Sequence, residues 1–569
     1  MNGLFLVIIS ALIFVLAYRF YGAFIAAKVL TVNQYKVTPA FRFEDGHDYV
    51  PTNKYVVFGH HFAAIAGAGP LVGPVFAAQF GYLPGALWIL IGGVLAGAVH
   101  DMVILFASMR YDGKSIAEIA NAQIGDNVGL ATSFAVWFLN ILAMAGMAVV
   151  IVNALHDSPW GTFTIGMTIP IAIFVGVYMQ FLRPGHIKEG TVIGVALTLL
   201  AVILGPSVSA SPTLAPLFTI NAKGISIALI IYGFVAAALP VWLLLAPRDY
   251  LSTYMKIGTI GALAIGIIIV GPTIQMPAMT QFVAGGGPVI TGPVLPYIFI
   301  TIACGAISGF HSLVGSGTTA KQLNNEKDAQ PIAYGGMLIE CVLALVSLCA
   351  VAYIWQDYKA GTTVTPTVVF ATGLSQMLGK IFGSGAVSVT FTLMVLAVSV
   401  FCLTSLDTAT RLARYMFQEF WRMPGEMAGD PTVTGARKVL CNPYVSTAIT
   451  VVLGIALGMT GYAKIWPLFV AANQRLAGLG LLAVAAWLGK MGRNNKMFYF
   501  PMIFMILVTL TSLVFTIKSQ ITAIIAGSTG VAWCYIRAIL AILLVILAIA
   551  LVVEGSKALA AQAKAKKAA

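Results

Sequence analysis

Long runs of apolar residues, separated by short polar gaps, follow one another along almost the whole chain. A helix needs about 20 apolar residues to cross the hydrocarbon core of a bilayer, and these runs have that length. The pattern predicts fifteen membrane-spanning helices, at 3–27, 61–81, 84–109, 127–153, 161–182, 189–210, 224–246, 254–274, 292–314, 332–355, 386–409, 442–461, 464–489, 498–517 and 531–553. A further stretch, 365–381, is short and rich in Gly and Thr, and we interpret it as re-entrant or interfacial.

The composition agrees with a membrane protein. Of the 569 residues, 59% are hydrophobic and only 9% are charged, whereas a soluble globular chain carries roughly 25% charged residues. So few charges cannot cover a water-exposed surface, and most of the surface is therefore expected to face lipid. We expect one all-α transmembrane domain over residues 1–555 and an Ala- and Lys-rich tail at 556–569. The first run has no basic residue before it, so we interpret it as a span and not as a cleaved signal peptide.

Basic residues predict the orientation of the chain. The net charge is +13, and Lys and Arg concentrate in alternate gaps, whereas the gaps at 82–83, 154–160 and 275–291 contain none. Because basic loops stay in the cytoplasm, this alternation predicts a periplasmic N-terminus and a cytoplasmic C-terminus. The same rule assigns the gap that holds Arg248 and Lys256 to the cytoplasm. It also requires that the Gly- and Thr-rich stretch does not cross the membrane completely.

Two of the predicted spans, the second and the ninth, are unusually dense in Gly and Pro. The residues concerned are Gly67, Gly69, Pro70, Gly73 and Pro74 in the second span, and Gly305, Gly309, Gly315 and Gly317 in the ninth. In a helix interior Gly costs roughly 1 kcal/mol and Pro roughly 3 kcal/mol. We therefore expect unwound backbone at 67–74 and 305–317.

Broken helices of this kind point to solute transport. Unwound backbone is tolerated in a membrane where it lines a cavity, and transporters use it to present helix ends and carbonyl groups to substrate and coupling ion. The second and ninth spans also run in opposite directions, as an inverted repeat requires. The alternative is that Gly and Pro serve close helix packing, and we interpret Gly93–Gly97 and Gly454–Gly458 in that way.

Ionisable residues within the apolar spans are the candidates for coupling chemistry, because charge in a membrane is costly. His100 and Asp101 lie in the third span, and Glu340 lies near the centre of the tenth. We expect Asp101 and Glu340 to carry a proton, with His100 or His311 as a relay. The alternative for Asp101 is a structural role as the partner of a hydroxyl or an Arg.

Further charged residues in or beside the spans have less specific interpretations. Asp407 is expected to pair with Arg411 one turn later on the same helix. The Arg248–Asp249 pair is expected to anchor a helix end at the membrane interface. Arg475 is expected to hold a carboxylate of the substrate or of the protein.

Metal and nucleotide chemistry have little support in the sequence. His60, His61, His100 and Asp101 have the chemistry of metal ligands, but no spacing among them requires a metal. The chain has no Gly-rich phosphate loop of the Walker type, so ATP-driven pumping is not expected. We predict no metal, no cofactor and no nucleic-acid partner.

Several long strings in the chain resemble the carbon starvation protein A family. They include Gly59 to Gly81, His100-Asp101, Arg110 to Ser115, Pro247 to Leu251, Ser308 to Gln322 and Asp407 to Arg411. The resemblance covers nearly the whole membrane portion. It implies a permease of the bacterial inner membrane, used under carbon limitation, that imports peptides or, in relatives, pyruvate together with protons.

The resemblance also implies a fold near that of the amino acid–polyamine–organocation transporters, whose leucine-transporter-like inverted repeat contains two broken helices. In that repeat the broken helices lie five spans apart, whereas here they lie seven apart, so two additional helices must be inserted between them. Some family members are longer than this chain.

These observations predict an all-α secondary transporter that imports a carboxylate-bearing nutrient, with H⁺ or Na⁺ as the coupling ion. The candidate substrate-binding residues are Gly67, Gly69, Pro70, Gly73, Ser308, Gly309, His311, Ser312 and Gly315. A channel or a membrane-embedded nutrient sensor is the alternative, and a membrane enzyme would need the His60, His61, His100 and Asp101 group to bind metal.

Overall fold

Apolar helices account for almost all of the architecture. The computed structural model of the protein describes all residues except 1, 125, 362–364, 423–425, 427–432, 460–461, 528–530 and 569. In the first half of the chain the helices are α1 (Gly3–Leu30), α2 (Lys54–Ile65), α3 (Gly69–Ala77), α4 (Tyr82–Arg110), α5 (Ile116–Ile124), α6 (Asp126–Leu155), α7 (Pro159–Leu182), α8 (Ile187–Ala210), α9 (Ala222–Ala238) and α10 (Leu245–Val270).

The second half of the chain continues in the same way, and its last helix runs through the predicted Ala- and Lys-rich tail. Its helices are α11 (Val294–Thr301), α12 (Gly309–Gly317), α13 (Glu326–Tyr353), α14 (Pro366–Phe382), α15 (Ser384–Trp421), α16 (Pro443–Gly458), α17 (Tyr462–Lys490), α18 (Lys496–Ile525) and α19 (Val531–Ala568). The described residues contain two isolated β-bridges and no strand.

The described residues form twelve helical segments that are long and apolar enough to cross a membrane. The helices α9 and α16 are apolar but shorter, and α11 with α12 forms a further, interrupted segment. Each predicted span therefore falls on a helix, and the multi-pass, all-α class is confirmed. The count of fifteen stays a prediction. The predicted span 442–461 ends on residues 460–461, which lie outside the described residues.

Loops that the charge pattern assigns to the cytoplasm meet at one end of the bundle. Arg110 Nη2 lies 2.8 Å from Glu326 Oε2, the Asn33 amide donates to the same oxygen at 3.0 Å, and Thr52 forms a β-bridge with Leu323. We call this end, which holds residues 31–53, 111–115 and 318–325, the basic end.

Segments assigned to the other side of the membrane meet at the opposite end. The Gly3 amide donates to the Pro272 carbonyl at 2.9 Å, and the Asp157 amide donates to Ile220 O at 2.9 Å. The fold therefore separates the two groups of loops as the charge pattern predicts. The stretch predicted at 365–381 forms α14, and Lys380 lies over the ring of Tyr353, so the last turn of α14 packs against the end of α13.

Two helices are broken where the sequence is dense in Gly and Pro, and they run antiparallel. The helix α2 begins at the basic end and continues as α3 to the opposite end, where Gln79 Nε2 donates to Ile290 O at 2.7 Å. From there α11 and α12 run back to the basic end. The breaks cover residues 66–68 and 302–308.

The extents predicted for the two breaks are wrong. Residues 69–74 are helical because Pro70 lies in the first turn of α3, where its missing N–H leaves no hydrogen bond unmade. Residues 309–317 are helical because every one of them is buried, and tertiary packing overrides the low helix propensity of Gly and Ser.

The gap predicted around Arg248 and Lys256 is also wrong. Both residues lie within α10, which begins at Leu245 and contains Pro247 in its first turn, where proline is tolerated. Arg248 is 3% exposed and Lys256 is 1% exposed. Neither residue is a loop residue, so each must find partners inside the protein.

Candidate functional site

The two broken helices contact each other where α3 passes the second break. An added Cβ at Gly73 would lie 2.5 Å from the carbonyl oxygen of Thr301, the last residue of α11. Gly97, in α4, faces the carbonyl oxygen of Ala306, which lies within the second break, and a Cβ there would overlap it. Small residues therefore let α3 and α4 approach the unwound backbone of the second break.

A buried chain of acidic and His side chains lies beside this contact. His311, in the first turn of α12, has Nδ1 2.7 Å from Asp101 Oδ2 and Nε2 3.3 Å from Glu340 Oε2. His100 Nδ1 lies 2.9 Å from the other oxygen of Asp101. All four side chains are fully buried. The chain joins α4, α12 and α13, and His311 is the third residue after the second break.

The predicted proton-coupling residues therefore lie in one chain, in which His100 and His311 both contact Asp101 and His311 also faces Glu340. The alternative that Asp101 bonds a hydroxyl or an Arg is not what the structure shows, because both of its oxygens face His nitrogens. Within the described residues, Glu340 Oε1 has no hydrogen-bond partner, and Oε2 faces His311 Nε2 at 3.3 Å without the geometry of a hydrogen bond. A carboxyl group in such surroundings is suited to hold a proton.

Most of the predicted substrate-binding residues lie in the two breaks or in the turns beside them, whereas Gly315 lies in the last turn of α12 and faces Leu105. Gly67 lies within the first break, Gly69, Pro70 and Gly73 lie in α3, Ser308 lies within the second break, and Gly309, His311, Ser312 and Gly315 lie in α12. The hydroxyl groups of the two serines are engaged in the present conformation, since Ser312 Oγ donates to Gly309 O at 2.5 Å.

Asn473, in α17, holds the second break in place and was not predicted from the sequence. Its Oδ1 accepts the Phe310 amide at 2.6 Å, and its Nδ2 lies 3.2 Å from Ser308 Oγ. The Phe310 amide is one of the first amides of α12, which has no partner within the helix. Asn473 therefore caps α12 from a distant helix, and only the polar Asn473–Gln474 pair inside an apolar run could have indicated it.

Lys256, in α10, holds the first break and was also not predicted. Its Nζ donates to Ala63 O at 2.6 Å, to Ala66 O at 2.7 Å and to Phe401 O at 3.2 Å. Ala63 lies in the last turn of α2 and Ala66 is the first residue of the break, so neither carbonyl has a partner within the helix. A buried ammonium group therefore satisfies the carbonyls that the break exposes.

The expected pairing of Asp407 with Arg411 is wrong. Asp407 accepts from Arg248 and from the hydroxyl group of Tyr232, the latter at 2.7 Å. Arg411 Nη1 instead donates to Asp48 Oδ1 at 2.9 Å, and Asp48 lies in the loop before α2 at the basic end. The interpretation of Arg248 as an interfacial anchor is also wrong, because Arg248 is buried and forms an ion pair with Asp407.

Arg475 lies away from the breaks. Its neighbours Asn473 and Gln474 face α12 and α11, whereas Arg475 lines a small cavity among α17, α18 and α19, beside Leu479 and Leu551. The expectation that it holds a substrate carboxylate is therefore not supported by its position.

The four residues considered as metal ligands have separate partners. His60 Nδ1 lies 2.7 Å from Asp249 Oδ2, and His61 Nδ1 lies 2.8 Å from Thr319 Oγ1, whereas His100 faces Asp101. Among the residues that the structure describes, no three His, Cys, Asp or Glu side chains are arranged to hold a metal ion.

A cavity of about 410 Å³ lies toward the opposite end, beside the last residues of α11. Its wall includes Phe76 at the end of α3, Ile300 and Thr301 at the end of α11, and Trp466 in α17. The acidic and His chain lies deeper and is closed from solvent. The cavity therefore borders the end of α11, whereas the acidic and His chain is sealed from it.

The sequence matches a known protein family along most of its length. The family model described as carbon starvation protein CstA matches residues 2–364 and 356–512. The peptide transporter CstA of Bacillus subtilis is 44% identical over 527 residues, which cover 87% of this chain and 87% of that protein. The pyruvate/proton symporter BtsT of Escherichia coli is 38% identical over 569 residues, which cover 87% of this chain and 78% of that protein.

A solved structure has a similar fold. A mutant form of the manganese transporter of Eremococcus coleocola aligns with a TM-score of 0.51 and 14% identity, over 90% of this chain and 99% of that chain. At this identity the likeness shows the fold alone. The interrupted, antiparallel helices therefore belong to a fold that is also found in a membrane transporter.

Proposed function

Because the chain belongs to the CstA family of carbon starvation proteins, we propose that it imports a small, carboxylate-bearing nutrient together with protons by alternating access. The observation that carries this proposal is the contact between two broken helices beside a buried Asp101–His311–Glu340 chain. Breaks in antiparallel helices supply the substrate site of secondary transporters. Buried carboxylates paired with His are the groups that relay protons across membranes.

The substrate is expected to bind between the two breaks. The first amides of α3 and α12 lie at helix N-termini, where the helix dipole favours a carboxylate. Ser308 and Ser312 supply hydroxyl groups at the same place. A separate cavity of about 410 Å³, beside the end of α11, has room for a short peptide or a smaller organic acid. Relatives named as peptide transporters and as a pyruvate/proton symporter support these two substrate classes.

Proton binding is expected to change the second break directly. His311 stands between the two carboxylates, so a proton on Glu340 or Asp101 removes one of its two ionic contacts. The first turn of α12 is then released from α4 or from α13. This supplies the two-state element that couples the ion to the opening of the substrate site.

We further propose that the protein lies in the bacterial inner membrane with its basic end in the cytoplasm, which follows from the positive-inside rule. A fluorescent protein fused after the C-terminal tail should then fluoresce, because it folds in the cytoplasm. A periplasmic alkaline phosphatase fused at the same place should be inactive. The reverse result would contradict the orientation.

Uptake by proteoliposomes tests the function. Labelled pyruvate and a labelled dipeptide are offered to the purified protein with and without an inward proton gradient. We expect one of them to accumulate above its external concentration only with the gradient. Equilibration without accumulation would favour a channel, and binding of both without uptake would favour a sensor.

A further inference from the structure

Arg475, in α17, is a buried cation whose charge the described part of the protein does not balance. The residue is 9% exposed. Among the residues that the structure describes it forms no ion pair and no hydrogen bond, and its Nε is enclosed without an acceptor. Buried cations elsewhere in the membrane domain have partners, as Arg248 has in Asp407. Arg475 therefore needs a physical explanation of its own.

The charge of Arg475 cannot be removed by loss of a proton. A guanidinium group stays protonated in proteins, whereas a buried Lys or His can become neutral. A charge inside a membrane protein is costly unless an opposite charge balances it. An anion that is not a side chain of the described residues is therefore expected beside Arg475.

The depth of Arg475 distinguishes an ion from solution from a lipid headgroup. The residue lies thirteen residues after Tyr462 and fifteen before Lys490, which are the ends of α17. It is therefore about 20 Å along the helix axis from either end. The hydrocarbon core of a bilayer is about 30 Å thick, and phosphate groups lie outside it. A headgroup is out of reach of the guanidinium group, so an ion from solution is favoured.

The cavity beside Arg475 has the size of a single small ion. Its volume is about 20 Å³, and a cavity of about 10–15 Å³ is enough for one water molecule. Its walls include the apolar Leu479 and Leu551, and the hydroxyl group of Thr509 in the wall already donates to Met505 O at 2.7 Å. A carboxylate nutrient or a phosphate ion is too large for this cavity, and it has more acceptors than the wall can satisfy. A halide needs little more than the guanidinium group.

We propose that Arg475 and this cavity form a site for one halide ion, with chloride as the expected occupant. The ion neutralises the guanidinium group where α17, α18 and α19 meet. The two residues before Arg475 hold the second broken helix, since Asn473 caps α12 and Gln474 Nε2 donates to Phe299 O in α11 at 2.6 Å. The bound ion therefore stabilises the helix against which the second break packs. This inference does not depend on the proposed substrate or on proton coupling.

Thermal unfolding of the full-length protein in detergent tests the inference, with chloride exchanged for the larger gluconate at constant ionic strength. Arg475→Met removes the charge and keeps a long side chain, and Arg19→Met, at an exposed Arg in α1, is the matched control. We expect about 100 mM chloride to raise Tm saturably by roughly 2–5 °C in the wild type and in Arg19→Met, and to leave Arg475→Met unchanged. In gluconate, Arg475→Met should unfold at a higher temperature than the wild type, because it no longer buries an unbalanced charge.

An equal Tm of the wild type in chloride and gluconate would overturn the inference. A chloride shift of the same size in Arg475→Met would also overturn it, because the ion would then act elsewhere. A Tm that rises only when anionic phospholipid is added would replace the halide by a headgroup. If Arg475→Met cannot be recovered, anomalous scattering from wild-type crystals grown in bromide decides the matter. A bromide peak beside the Arg475 guanidinium group supports the site, and its absence there contradicts it.

Discussion

At the scale of single residues, Asp101 has the central position among the ionisable groups of the membrane domain. Its two oxygens face His311 at 2.7 Å and His100 at 2.9 Å, and all three side chains are fully buried. A buried carboxylate is stable when it is paired and hydrogen-bonded, and it becomes costly when a partner is lost. A change of proton at this group therefore has a structural consequence at α12.

The Asp101→Asn variant separates proton coupling from substrate binding. The amide has nearly the same shape but cannot change charge, so we expect gradient-driven accumulation to fall by about tenfold or more while exchange of labelled for unlabelled substrate continues. Accumulation and exchange are measured in the same proteoliposomes. The control is Glu44→Gln, an exposed acid at the basic end, and loss of both activities in Asp101→Asn alone would indicate a structural role.

Asn473 gives a second prediction at this scale. Replacement by Ala removes the acceptor of the Phe310 amide at 2.6 Å, and a buried amide without a partner costs about 1–3 kcal/mol. We expect Asn473→Ala to lower Tm and the maximal uptake rate, whereas Ser375→Ala, at a buried Ser in α14, should alter both much less. Equal effects of the two variants would contradict the role of Asn473 as a cap.

Single residues also show how far the sequence alone leads. The cost of burying charge identified Asp101 and Glu340, because an acid inside an apolar run is visible without any structure. The same criterion failed for Lys256, since the positive-inside rule assigned it to a loop. Lys256 donates to the backbone carbonyls of Ala63, Ala66 and Phe401. Every residue has a backbone carbonyl, so the sequence does not indicate which ones serve as partners. Contacts between residues that are far apart in the sequence, such as Arg411 with Asp48, could not be predicted from the sequence either.

At the scale of elements, the broken helices were predictable in number and direction but not in extent. Dense Gly and Pro indicated that the second and ninth spans are interrupted, because the helix penalty of these residues is local. The break at 66–68 is shorter than predicted, and the break at 302–308 lies earlier than predicted. The limits depend on packing, which decides that the Gly-rich segment 309–317 stays helical.

Gly97 tests the contact between α4 and the second break. A side chain at Gly97 would overlap the Ala306 carbonyl, whereas Gly261, in α10, has no heavy atom within 4 Å of an added Cβ. We therefore expect Gly97→Ala to lower Tm and reduce uptake, since crowding in a packed interior typically costs about 1–3 kcal/mol. Gly261→Ala should leave both near wild type. A Gly97→Ala protein with wild-type uptake would contradict the proposed closeness of the two elements.

At the scale of the whole molecule, the basic end is closed by a cluster that joins distant parts of the chain. Asp48, in the loop before α2, accepts from Arg411 and Arg414 at 2.9 Å and from Tyr415 at 2.6 Å, all three on α15. This cluster holds the start of the first broken helix against α15. Under the proposed alternating access, we expect the cluster to separate when the basic end opens.

The protonation of Asp48 predicts a pH dependence. Burial raises the pKa of Asp48, but the neighbouring Arg414, the hydrogen bond from His47 and Arg411 together hold it well below its usual range. The cluster therefore contributes stability above about pH 4, and the contribution is lost only as the pH falls below that value. Between about pH 5 and 8 the Asp48 carboxylate itself should not change its charge. We expect Asp48→Asn to change the rate of uptake without moving the midpoint of its pH profile, and a shifted midpoint would contradict this assignment.

Proton movement that accompanies substrate entry tests the central claim most directly. The wild-type protein is reconstituted into vesicles that contain a pH-sensitive dye, and the substrate identified by uptake is added outside without a prior proton gradient. We predict that the substrate gradient drives protons inward, so that the lumen acidifies, and that Asp101→Asn abolishes this signal. Entry of labelled substrate without acidification in the wild type would contradict proton-coupled import.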